Sequence, residues 1–279
     1  MGENMKKYVA MACEKGVSLL SDWGACQKWR NKWYFVRLSL SEDNYLELLQ
    51  QVRKSIDAGV SIALKKGAWQ AQAVFSDVDS TLIPMESIDV LAKEQACESK
   101  VAAITAATMA GKLSFSQALE ERLKYLKGLP ARKLEEIALK VEPFPGLREF
   151  IGYCQQKSLP FYMVSGGFSP MLQIWAEKWG AAGFRANSLE VEDGLLTGRS
   201  KGAVVDGPGK LSYAEDQCRQ RGLRMADVLA LGDGSNDLAL MQQAGLSIGF
   251  APKKVLIPAL DGAIHTGNYF FLTDFLELK

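Results

Sequence analysis

Three short apolar stretches of this chain run straight into polar or glycine-rich turns, and this repeated junction constrains the fold more than any other feature. Ala73-Val74-Phe75 leads into Asp77-Val78-Asp79-Ser80-Thr81. A second stretch ends at Ser165-Gly166-Gly167, and Val228–Leu231 runs into Gly232-Asp233-Gly234-Ser235-Asn236-Asp237. Apolar residues at helical spacing predict helices over 146–157, 171–179, 210–221 and 237–244, with a last strand at 246–250. Strands alternating with helices imply a doubly wound parallel sheet covered on both faces. In open sheets of that kind, ligands bind beyond the carboxyl ends of the strands. The three turns are therefore expected to meet in one crevice.

Helical spacing without a strand signal over 86–109, 114–127 and 131–140 predicts an all-helical insertion, a cap at about 85–141. Residues 188–199 read as a hairpin turning at Asp193-Gly194. Residues 1–70 differ in character and read as a small N-terminal α+β segment, with strands at 33–40 and 60–64 around a helix at 41–57. Residues 71–279 form the second unit.

Composition excludes several classes. The 279 residues are 48% hydrophobic, enough for a sizeable core, and 33 Lys and Arg nearly cancel 32 Asp and Glu. No global field favours nucleic acid or an anionic membrane, so a small-molecule partner is expected. The five cysteines are scattered and never form a CxxC pair, which argues against a disulfide framework or structural zinc. No run reaches the ~18 apolar residues of a membrane span, and the N-terminus is a poor secretory signal without a myristoylation pattern. A cytoplasmic protein is expected. Trp23, Trp29 and Trp33 are expected in the core, and the single histidine, His265, is given no metal role.

The chemistry is in the turns. Two carboxylates two residues apart, just past a strand, can point into one pocket; their crowding calls for a cation, and such oxygen ligands suit Mg²⁺. Ser165-Gly166-Gly167 offers a hydroxyl and unhindered N–H groups before a helix, a plausible phosphate cradle. The third turn adds further side chains that can bind a metal or hydrogen-bond. Each taken alone is ordinary turn chemistry; their convergence carries the argument.

Together, DVDST, SGG, the lysine of Pro208-Gly209-Lys210 and GDGSND resemble the haloacid-dehalogenase-like phosphatases, and their order and separations are the family's. Glu86 in ESID, Phe115 and Arg122 in GKLSFSQALEERL, and the full SGGF string resemble the phosphoserine phosphatase branch. The resemblance implies a Rossmann-like phosphatase core with a helical cap, a Mg²⁺ cofactor, and hydrolysis of O-phospho-L-serine, the last step of serine biosynthesis. It implies Asp77 as the nucleophile and Asp79 as general acid and then base. Asp77, the backbone carbonyl of Asp79, and Asp233 would hold the metal. Ser165, Gly166, Lys210 and Asn236 would bind the phosphoryl group, with Asp237 supporting Lys210 or the metal from behind. On the cap, Glu86 would meet the substrate ammonium and Arg122 its carboxylate, with Met109 and Phe115 lining the pocket.

The expected partner is a small phosphorylated amino acid, with no nucleic acid and no membrane, and a homodimer is admitted. The alternatives are the same chemistry on phosphothreonine or phosphohomoserine, a phosphotransferase, a receiver module that phosphorylates an aspartate, and a non-catalytic binding protein. A receiver would be much shorter and would lack Asp79 and the cap.

Overall fold

A computed structural model describes residues 5–30 and 32–278; the side chain of Met109 lies outside the described residues, so its place in the pocket is not assigned. The chain opens with β1 (Lys6–Ala12), α1 (Val17–Trp23), β2 (Gln27–Trp29), β3 (Trp33–Leu40), α2 (Glu42–Asp57) and β4 (Ile62–Lys66). This is a β–α–β–β–α–β unit of the ferredoxin-like kind, larger than the strand–helix–strand predicted from residues 33–64. Its helix α2 starts where the sequence places it, because the Ser41 hydroxyl accepts the Asn44 N–H and Glu42 and Asp43 sit in the first turn.

The second half is laid down as β5 (Ala73–Ser76), four helices α3 (Ser87–Glu94), α4 (Glu98–Met109), α5 (Phe115–Lys124) and α6 (Arg132–Lys140), then α7 (Leu147–Gln156). There follow β6 (Phe161–Phe168), α8 (Ser169–Trp179), the hairpin of β7 (Gly183–Glu192) and β8 (Leu195–Lys201), and α9 (Gly207–Gln220). The chain closes with β9 (Val228–Gly232), α10 (Leu238–Gln243), β10 (Leu246–Phe250), β11 (Gly262–Ile264) and α11 (Phe270–Glu277). The hairpin turns at Asp193-Gly194, both at positive φ, as the sequence predicts. The start of α5 is fixed by a reciprocal capping box between Ser114 and Gln117.

All these strands belong to one sheet of eleven, in the order β2-β3-β1-β4-β11-β10-β9-β5-β6-β7-β8. From β11 to β7 every pairing is parallel. Taken in chain order, those six strands run 3-2-1-4-5-6, the arrangement whose ligand crevice lies where the order reverses. The reversal falls between β5 and β9, the strands that end at Asp77 and Asp233. The N-terminal unit is not a separate sheet: β4 pairs antiparallel with β11 and joins the two halves edge to edge.

The core lies on both faces of this sheet. One face buries Val74, Met163, Leu229 and Ile248, and the other Phe75, Tyr162, Val164 and Ala230. Packing sets the register of the parallel strands, since a one-residue slip would exchange the two sets and mismatch each against the helices that cover it.

Candidate active site

At the end of β5 the chain makes a tight, hydrogen-bonded turn. The N–H groups of Thr81, Leu82 and Ile83 all point at the Val78 carbonyl, and Ser80 takes the left-handed conformation at φ 57°. Val78 is buried in the core, which leaves Asp77 and Asp79 on the side of the crevice. Asp77 is nearly inaccessible. Its Oδ1 accepts the Val78 N–H at 2.8 Å and faces the Lys210 ammonium at 2.7 Å. Among the described residues its Oδ2 has only a long contact with the Asn236 amide, 3.5 Å, and is the oxygen with lone pairs to spare.

Asp79 is held from the other direction. Ser87, the first residue of α3, donates its N–H to Oδ2 at 2.9 Å and its hydroxyl to Oδ1 at 2.7 Å. Burial, with the negative charge of Glu86 second, pushes the Asp79 carboxyl up to about 7 against those two hydrogen bonds. A carboxyl poised there can carry a proton at neutral pH and release it. Glu86 itself accepts the Ser80 hydroxyl at 2.7 Å.

Beneath Asp77, Lys210 is completely buried between two carboxylates, Asp77 and the Asp237 Oδ1, each at 2.7 Å. Burial alone would lower its pKa; Asp237 and Asp77 outweigh that and hold it above the usual lysine value, so the ammonium stays charged. The other Asp237 oxygen accepts the N–H groups of Asp233 and Gly234. Residue 232 must be glycine for this to fit, because a Cβ there would lie 2.4 Å from the Asp237 carboxyl.

The side-chain oxygens of Asp77, Asp233 and Asp237 lie within 4.8 Å of one another. Three buried carboxylates against one buried ammonium leave an excess of negative charge that a hard, oxygen-seeking cation fits. Both Asp237 oxygens are already engaged, so Asp77 and Asp233 are the better ligands and Asp237 the support. The Asp79 side chain, turned to Ser87, is not in this cluster; its sequence-based metal role concerned the backbone carbonyl alone.

A cavity of about 380 Å³ opens above these groups, lined by Asp77, Asp79, Glu86, Phe115, Arg122, Ser165, Gly166, Asp233 and Asn236. Lys210 and Asp237 lie under its floor and do not line it. The Ser165-Gly166-Gly167 segment differs from its sequence reading: β6 runs on to Phe168, its register shifting after Val164, where a turn was expected. The Gly167 N–H reaches the Ser165 hydroxyl oxygen at 2.8 Å, and Asn187 clamps the Gly166 carbonyl at 2.8 Å. A Cβ on Gly166 would come within 2.6 Å of the Phe115 ring, so the glycine lets α5 close onto the strand.

Arg122 reaches the cavity from α5 with its Nε–H donated to the Ala118 carbonyl at 3.1 Å. Partial burial lowers its pKa, while Asp89 and Glu86 act against that shift. Asp89, Ser87 and Lys253 are the neighbours that sequence reasoning left out. Lys253 lines the cavity and pairs with Asp233 Oδ2 at 2.9 Å. It sits in the turn after β10, a fourth strand end on the same side of the sheet, and that position was the available signal.

The haloacid dehalogenase-like hydrolase family pattern matches residues 74–242, and the chain belongs to that family. Within it, the chain is similar to phosphoserine phosphatases. It is 37% identical to that of Archaeoglobus fulgidus over 209 residues, 75% of this chain and 61% of the relative. To that of Streptococcus thermophilus it is 37% identical over 180 residues, 64% of this chain and 84% of the relative. A third, from Streptomyces coelicolor, is 37% identical over 74% of this chain, and only 51% of its own length is matched, so the chain spans less than two thirds of two of these relatives. Among solved structures, a phospho-aspartyl intermediate analogue of phosphoserine phosphatase aligns with TM-score 0.69 and 34% identity, over 74% of this chain and 99% of that one. A had family hydrolase from Salmonella enterica aligns over 97% of this chain and 99% of its own with TM-score 0.86 at 22% identity, a likeness of fold. No helix among the described residues is long and apolar enough to cross a membrane.

Proposed function

We propose that this chain is a Mg²⁺-dependent phosphatase that hydrolyses O-phospho-L-serine through an aspartyl-phosphate on Asp77. The observation that carries the reading is one cavity holding Asp77, with an oxygen to spare, beside an Asp79 carboxyl raised to about 7. The similarity to proteins named phosphoserine phosphatase supports the substrate.

Bound between Asp77 and Asp233, the metal would supply positive charge for the phosphoryl oxygens. The chain's own groups do the rest. Asp77 Oδ2 attacks phosphorus, the phosphorus–ester oxygen bond breaks, and Asp79 delivers its proton to the serine alkoxide. Asp79, now a carboxylate, takes a proton from water; the hydroxide oxygen attacks phosphorus and the Asp77–phosphorus bond breaks. Serine and phosphate leave, and both aspartates return to their starting states. Lys210 holds Asp77 in place and offsets its charge throughout, while the Ser165 hydroxyl and the Gly166 N–H would offer donors to the phosphoryl oxygens. Above them Glu86 and Arg122 present opposite charges at the cap side of the cavity, a match for the ammonium and carboxylate of an amino acid.

The test is phosphate release from a set of phosphorylated amino acids, sugars and aryl phosphates, with Mg²⁺ and with chelator. Phosphoserine should lead, and only with Mg²⁺. A sugar phosphate turned over faster, or turnover undiminished by chelation, would refute the assignment.

A further inference from the structure

Two lysines stand at the carboxylate cluster, and they differ in the donors they have left. Lys210 has no exposed surface, does not line the cavity, and gives two of its three N–H bonds to Asp77 and Asp237. Lys253 has 49% of its side chain exposed, lines the cavity, and spends one donor on Asp233 Oδ2 at 2.9 Å. Its position is fixed twice over, because its backbone N–H also donates to the Asp233 carbonyl at 2.8 Å. The cavity wall beside it carries Asp77, Asp79, Glu86 and Asp233, so a phosphate dianion entering here needs every available cation. We infer that Lys253 is the open phosphate-binding cation of this cavity, while Lys210 serves as the fixed counter-ion of Asp77.

The inference deepens the phosphatase reading and rests on it. It divides two jobs between two side chains: one ammonium orients the nucleophile from below, the other meets the incoming oxygens from the mouth. Two spare N–H groups on a flexible stem suit the second job, because the charge can follow the phosphoryl group. The N-terminal unit fixes the base of that stem. Behind Lys253 a 3-10 segment, Lys254–Ala259, packs on α2, where Arg53 Nε donates to the Leu260 carbonyl at 3.0 Å.

The experiment is calorimetric titration of Mg²⁺, and of inorganic phosphate into the Mg²⁺-loaded protein, for wild type, Lys253→Met and Lys253→Gln. Both variants should keep the Mg²⁺ affinity, or raise it slightly as a competing cation is lost, and should weaken phosphate about tenfold or more. Unchanged phosphate affinity overturns the inference. So does a parallel fall in both affinities, which would make Lys253 a brace for Asp233. A wild-type protein that binds neither ion overturns the phosphatase reading along with it, whereas normal wild-type binding with unaltered variants overturns the lysine assignment alone.

Discussion

Two acidic sites beside this sheet are built to opposite ends. At the junction of the N-terminal unit with α11, the Asp274 carboxylate accepts Arg30 Nη1 at 2.7 Å on one oxygen and Trp33 Nε1 at 2.8 Å on the other. Arg30 also pairs with Glu277 at 2.6 Å. Both Asp274 oxygens have donors, and the result joins distant parts of the chain. In the crevice, Asp77, Asp233 and Asp237 outnumber the ammonium groups of Lys210 and Lys253, and Asp77 keeps an oxygen nearly free. A balanced buried charge fixes structure; an unbalanced one marks where a ligand must complete the account.

That contrast is strongest under Asp77→Asn. Turnover should fall by at least about 10³-fold, while the unfolding midpoint holds or rises as a crowded like charge is removed. Substantial residual turnover would rule out the nucleophile. Next in size, Arg122→Ala should cost about 10²-fold in kcat/KM for phosphoserine and far less for an aryl phosphate lacking a carboxylate. Equal losses on both substrates would remove Arg122 from substrate recognition.

Asp274→Ala reverses the pattern. It should leave turnover at 25 °C intact and destabilise by about 2 kcal/mol in urea melts, because the buried Trp33 N–H loses its acceptor. The half-exposed Arg30 adds little to that figure. A variant that lost activity while keeping its stability would erase the distinction between the clusters.

The remaining tests are in pH. Asp79 has a folded pKa of about 7, above its ordinary 3.8, so its stabilising contribution is present below about 4 and is lost as pH rises through 7. Turnover of a poor leaving group should decline as pH rises past 7, where Asp79 gives up its proton, and Asp79→Asn should flatten the stability profile of the metal-free protein. Lys65, near α11 with its ammonium on the Leu278 carbonyl at 2.6 Å, runs the other way. Burial lowers it from 10.5 to about 8, so its contribution is present above 10.5 and lost as pH falls through 8. Lys65→Met should abolish that slope; parallel slopes for both residues would contradict these environments.

The crevice was legible in the sequence because each part is local: an apolar strand, then a polar or glycine-rich segment, three times over, although the second of these proved to continue its strand. The helix starts at Ser41 and Ser114 and the Asp193-Gly194 hairpin are equally local. What escaped depends on packing. In β1, Lys6–Ala12, the last five residues are all buried, so no alternation signals a strand. The three-residue β11 exists through its partners β10 and β4. In α11, Phe271, Leu272, Asp274 and Phe275 are all buried, so no polar face announces it, and its acid is explained only by Trp33 and Arg30, some 240 residues earlier. Lys253 escaped because one more lysine beside another gives no hint of a carboxylate twenty positions back.

The antiparallel seam between β4 and β11 has a practical consequence. A shortened chain beginning at residue 71 would keep every residue of the crevice, yet it would bare a raw margin of main-chain donors and acceptors along Gly262–Ile264. Such a fragment should be sticky in solution, and the loop behind Lys253 would lose its backing. Anyone trimming this enzyme to a minimal catalyst would do better to leave its first strands in place.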